Sequence, residues 1–146
     1  MIVQNEEFMT LRNLLIEERR RVLSNDINRY SEEIFTPVDA MYSKGALIAY
    51  YAIENSLNEK YDDVVLNLSM EENFPYYLTD LIGALRKFEI NEVLLTDTPL
   101  PIFDIISALY DYNWKIVSVD KYLLNKDDAL RLKFVTQPVL RFKCFG

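Results

Sequence analysis

The sequence contains no histidine, and this absence excludes more chemistry than any other feature of its composition. It rules out Ser-His-Asp and Cys-His nucleophile systems, two-histidine iron sites and every zinc site with an imidazole ligand. Catalysis would have to use carboxylates, tyrosine, backbone groups or water. The sequence also lacks the carboxylate spacing of an EF-hand, so we expect no bound metal.

Cysteine and long apolar runs are also scarce. Cys144 is the only cysteine, so no disulfide can form within the chain, as is typical of proteins in a reducing compartment. The longest apolar run, residues 46–53, is much shorter than a membrane span. Residues 1–8 lack the basic and apolar regions of a signal peptide. We therefore expect a cytoplasmic protein with no membrane association.

The chain has 146 residues, half of them hydrophobic, so we expect one folded domain over residues 1–146. Its net charge is −7, which disfavours nucleic acid as a partner. Residues 129–146 differ from the rest, since they contain basic residues and no acid. Frequent Asn, Tyr, Ile and Lys are typical of small proteins of AT-rich bacterial or phage genomes, where non-enzymatic partners of other proteins are common.

Two helices are predicted at the start. Asn5 is suited to cap a helix whose apolar side chains recur on one face as far as about Leu23. A shorter helix is predicted over residues 27–34, because Pro37 breaks the pattern that follows.

Two strands are predicted next. Residues 43–45 form a turn in this interpretation, and the apolar run 46–53 is a buried strand. After a polar loop from Glu54 to Asp63, residues 64–70 form the second strand. The short loop favours antiparallel pairing of the two.

The pattern then alternates between helix and strand. Pro75 suits the first turn of a helix, and Val93–Leu95 forms the strand after it. Asp97 or Thr98 caps a further helix, which Asn113 ends. The apolar residues that we expect to face inward from these two helices are Leu78, Leu81, Ile82, Leu85, Phe88, Ile102, Ile105, Ile106 and Leu109.

The last predicted elements are strands. Residues 116–119 form one, and the helical connections before it require some parallel pairing. Alternating apolar residues at 130–134 and 140–144 flank a turn at 136–138, which predicts a half-buried hairpin with a basic outer face. Its edge, residues 139–145, is either open to a second copy or guarded by its basic side chains.

Two segments resemble the GNAT (Gcn5-related) N-acyltransferase family. The run "LIGALRKFEINEVLLTD" from Leu81 to Asp97 is similar to the family's third helix and fifth strand. The run "IISALYDYNWKIVSVDKYLL" from Ile105 to Leu124 is similar to the end of its fourth helix and its sixth strand, with Tyr110 at the family's tyrosine. The predicted order of elements matches as well, and the resemblance covers residues 46–134.

The resemblance implies an α/β fold with a mixed sheet and transfer of an acyl group from acetyl-CoA or another acyl-CoA to an amine. Tyr110 would protonate the departing thiolate. The general base would be Glu71 or Glu72, with Glu54 as a further carboxylate in reach of the same region. The residues that would line the acyl-CoA site are Leu68, Met70, Phe74, Tyr76 and Tyr77.

The segment from Ser69 to Tyr77 departs from the family pattern, which has a glycine-rich loop that holds the pyrophosphate. Here it contains no glycine and no basic residue, while Glu71 and Glu72 would repel phosphate and Pro75 removes a backbone donor. The alternative hypothesis is therefore a non-catalytic GNAT-like protein that contacts a protein partner through an acidic, aromatic surface around Phe74 and Tyr76. A dinucleotide-binding or flavodoxin-like domain is a third hypothesis, which the missing glycine-rich turn also weakens.

Overall fold

The structure is a computed structural model that describes residues 3–24, 41–67, 74–96, 101–122 and 136–146, with the backbone alone at 21–24 and 74–76. These residues form an α+β fold with four helices and a four-stranded mixed sheet. No helix within these ranges is long and apolar enough to cross a membrane. The elements are α1 (Glu6–Ser24), α2 (Lys44–Asn58), β1 (Val64–Leu66), α3 (Phe74–Lys87), β2 (Glu92–Thr96), α4 (Ile102–Asp111), β3 (Trp114–Tyr122) and β4 (Gln137–Cys144).

Helix α1 confirms the first prediction. The Asn5 side-chain oxygen accepts a hydrogen bond from the Phe8 backbone N–H at 2.9 Å, as a helix cap does. Glu6 and Glu7 follow in the first turn, where the helix dipole favours negative charge. Phe8 and Leu11 are completely buried, so the predicted apolar face packs into the core. The second predicted helix, residues 27–34, lies outside the described residues.

Helix α2 corrects the prediction of a strand at residues 46–53. Ser43 caps this helix and does not belong to a turn, since its hydroxyl accepts from the Ala46 N–H at 3.3 Å. The same helix includes Glu54, which was expected in a loop. Continuous apolar runs of this length suit a buried helix as well as a strand. The residues buried along it recur every three or four positions: Gly45, Ala49, Tyr50, Ile53 and Ser56.

Gly45 is the point of closest approach between α2 and α3. A Cβ at this position would lie 2.5 Å from the Tyr77 carbonyl oxygen and 2.8 Å from the Leu81 nitrogen. Both are backbone atoms of α3, which cannot move aside independently of the helix. The missing side chain therefore allows α2 to pack directly on the first half of α3.

Strand β1 corrects the prediction of an antiparallel pair. It pairs in parallel with β2, and its other side faces α2. The buried Ser56 hydroxyl accepts a hydrogen bond from the Val65 N–H at 3.0 Å and donates to the Ala52 carbonyl at 2.7 Å. A side chain of α2 thus satisfies a backbone donor at the edge of the sheet.

Strand β4 lies inside the sheet, whose order is β1-β2-β4-β3. It pairs antiparallel with β2 on one side and with β3 on the other. The predicted pairing of residues 140–144 with 130–134 is therefore wrong, because both sides of the strand are already occupied, and residues 130–134 lie outside the described residues. The prediction that residues 139–145 form an edge, whether open or guarded by basic side chains, is wrong for the same reason.

Helices α3 and α4 and strand β2 confirm the predicted alternation. The five apolar residues predicted along α3 are all buried, and Ile105 and Leu109 of α4 are buried too. The predicted caps of α4 are wrong, since the helix begins at Ile102 with Pro101 in the cap position. Asn113, just beyond its end, has a φ of 65°, a left-handed conformation that asparagine tolerates better than most residues.

The main core lies on the helical face of the sheet. Side chains of all four helices meet Val64, Val93, Leu95 and Phe142 there, and Trp114 is fully buried among them. The opposite face has a smaller cluster of Tyr61, Val65, Leu94 and Val139, with Tyr122 against it. Both faces of β2 are thus buried from Val93 to Thr96.

Candidate functional site

Tyr110, the predicted general acid, lies in the last turn of α4 beside the start of β3. Its side chain is 41% exposed, and its hydroxyl oxygen accepts a hydrogen bond from the Ile116 N–H at 3.3 Å. This contact gives the tyrosine a structural role, because it satisfies a backbone donor of β3.

The other predicted site residues lie mainly outside the described side chains. Leu68, Met70, Glu71 and Glu72 are not among the described residues. Phe74 and Tyr76 are in the first turn of α3 with only their backbone described. The side chain of Tyr77 is described, and the Lys44 ammonium lies over its ring, 5.2 Å from the ring centroid.

The structure does not bring Tyr77 and Tyr110 together. Strands β1 and β2 are parallel, and β3 has the same direction because both β2 and β3 are antiparallel to β4. Helix α3 begins after the carboxyl end of β1, whereas α4 ends just before the amino end of β3. The two tyrosines therefore lie at opposite ends of the strands.

Glu54, the third candidate base, is held by two partners. Its carboxylate accepts hydrogen bonds from Arg12 of α1 and from the Tyr50 hydroxyl, each at 3.0 Å. Burial and this hydrogen bond raise the pKa of Tyr50. Tyr50 also stacks on Phe8, with ring centroids 5.0 Å apart. The carboxylate thus joins α1 to α2, and this arrangement does not prepare it to remove a proton from a substrate.

Arg141 of β4 is the centre of a charged network on the less covered face of the sheet. Its guanidinium contacts Asp63 at 2.9 Å, Asp120 at 2.8 Å and Glu92 at 3.4 Å. Hydrogen bonds to Asp63 and Asp120 raise the pKa of Arg141. Ser118 also donates to Asp120 at 2.7 Å, and these bonds lower the pKa of the Asp120 carboxyl. The network links all four strands, because Asp63 directly precedes β1.

These carboxylates have no arrangement suited to a metal. Within the described parts of the chain, no group of three or more acidic or sulfur ligands is placed to hold an ion. Arg141 already occupies the position between them.

A groove of about 220 Å³ lies between α2 and the edge strand β1. Its walls are mainly apolar, from Ile48, Ala52 and the half-exposed Tyr51 ring, with Asn55 and Asn67 as polar groups. Asn67 follows β1 directly, so the groove lies beside the carboxyl end of this strand.

Among the described residues, α4 and β3 together carry several exposed apolar side chains. Four large hydrophobic side chains are exposed there: Phe103 by 83%, Tyr110 by 41%, Val117 by 45% and Val119 by 68%. We call these four residues the β3 edge surface. Exposed apolar residues that are contiguous, unlike scattered ones, mark contact surfaces in soluble proteins.

The local structure places Phe103, Tyr110 and Val119 on the helical face of the sheet. Phe103 and Tyr110 are seven residues apart on α4 and therefore share one stripe of the helix. Helix α4 runs back along β3, so Tyr110 lies near Ile116 and Phe103 lies further toward the carboxyl end of that strand. Val119 pairs with Leu140, whose side chain packs on the core, which places Val119 on the helical face. A bulge between Ile116 and Ser118 exposes Val117.

Sequence reasoning did not find this surface. The sequence predicted a strand at residues 116–119 with some parallel pairing, and nothing in the pattern shows which strand of the sheet lies at its edge. Phe103 was the one sequence signal for this surface. Its spacing from the inward-facing residues of α4 places it on an exposed side of that helix.

Comparison of the chain with protein-family models, with curated protein sequences and with solved structures gives no match.

Proposed function

We propose that this protein is a non-catalytic binding protein that acts through protein–protein contacts at the β3 edge surface. The observation that carries the proposal is the group of four exposed hydrophobic side chains beside the outer strand of the sheet. Exposure of Val119 and Phe103 to water has a free-energy cost that a partner would remove by covering them. Tyr110 and Glu54 accept hydrogen bonds from other elements of the fold. Their polar groups therefore serve stability, which supports a non-catalytic protein.

The test is affinity capture from a lysate of the source cell, with three baits compared. Val119→Asp introduces a charge into the surface. Ile16→Asp makes the same change at a residue of α1 that is 50% exposed, away from β3, and serves as the matched control. We expect that the wild-type and Ile16→Asp baits capture one or more proteins that the Val119→Asp bait does not capture. Identical capture by all three baits would reject the proposal.

The second candidate function is acyl transfer from acyl-CoA, which one specific observation favours. From β1 onward the described elements follow the order strand, helix, strand, helix and antiparallel strand pair, as the resemblance implies. The groove includes Asn67, the residue directly before the segment where the resemblance expects the cofactor.

Thermal unfolding with acetyl-CoA and with free CoA decides between the two functions. A ligand present at about 100 times its dissociation constant adds roughly 2.7 kcal/mol of stability. We expect no shift at millimolar cofactor. A clear shift would support the acyltransferase, and Tyr110→Phe should then lower turnover with little change in affinity.

A further inference from the structure

We draw no further inference here: the strongest candidate, the groove of about 340 Å³ that α3 forms with the starts of α1 and α2, has two acids (Glu7 and Asp80) and a lysine (Lys87) in its lining, so its charge favours no class of ligand, and nothing in the described parts of the chain shows what covers it.

Discussion

At the scale of single residues, Arg141 has more charged partners than any other residue that the structure describes. Three carboxylates, one each from β2 and β3 and one from just before β1, converge on one guanidinium that is only 20% exposed. Together with the arginine they carry a net charge of −2. The positive charge of this one side chain therefore offsets part of the repulsion among the three carboxylates.

Replacing Arg141 by methionine should lower the free energy of unfolding by about 2 kcal/mol, because three partly buried carboxylates lose their common partner. Lys143→Met, on the same strand, is the control, and we expect it to change stability by less than about 0.5 kcal/mol. Chemical denaturation at neutral pH measures both. Equal effects of the two substitutions would contradict the structural role of Arg141.

The Asp120 carboxyl should make the stability of the protein depend on pH. Hydrogen bonds from Ser118 and Arg141 lower its pKa in the folded state. Its contribution is therefore complete above the ordinary aspartate pKa of about 3.9 and is lost as the pH falls through the lower folded value. In Asp120→Asn, the decrease in stability on acidification below about pH 4 should be smaller. Melting temperatures across the acid range test this, with Asp111→Asn as the control that should keep the wild-type slope.

At the scale of elements, the helices and strands after residue 74 could be predicted from sequence and those before it only in part. The apolar spacing of α3 and α4 was sufficient, because each helix faces one continuous core. Helix α2 was misread because Leu47, Ala49 and Tyr51 lie in an apolar run in which period 2 and period 3.6 are equally satisfied. The sequence predicts a turn at Ser43 and Gly45, whereas in the structure these residues lie at the start of the helix.

The two glycines of the α2–α3 pair should respond in opposite directions to alanine. Gly45→Ala should destabilise the protein by about 2 kcal/mol or more, since its Cβ would collide with the α3 backbone. A Cβ at Gly83 meets nothing within 4 Å, so Gly83→Ala should stabilise the helix by roughly 0.5–1 kcal/mol. Denaturant midpoints of the two variants give the comparison. A stable Gly45→Ala protein would mean that α2 and α3 are further apart than described.

The candidate site was less predictable than the elements. Tyr110 could be placed near the end of a helix, but its bond to Ile116 depends on how α4 lies along β3. The exposure of Val119 depends on which strand forms the edge. That is a property of strand order, and local sequence patterns do not contain it.

At the scale of the whole molecule, β4 determines whether the sheet exists as one unit. It provides a pairing partner for both β2 and β3, and Phe142 is completely buried between them. No other described strand connects the two.

Removal of residues 137–146 should therefore abolish cooperative unfolding, because β3 would lose its ladder and the core would lose Phe142 and Leu140. Removal of Phe145 and Gly146 alone should leave a folded protein, since both lie beyond the strand. Circular dichroism melts of the two truncations distinguish these cases. A sharp transition in the longer deletion would show that β3 does not require β4.

The position of β4 also sets an order of events during synthesis. The ribosome produces β2 and β3 before the strand that joins them, and β4 is finished 22 residues after Tyr122. At about 5–20 residues per second, this interval is roughly 1 to 4 s. Throughout it, the facing edges of β2 and β3 lack the strand that joins them in the described sheet, and unpaired strand edges are where a nascent chain aggregates or recruits chaperones.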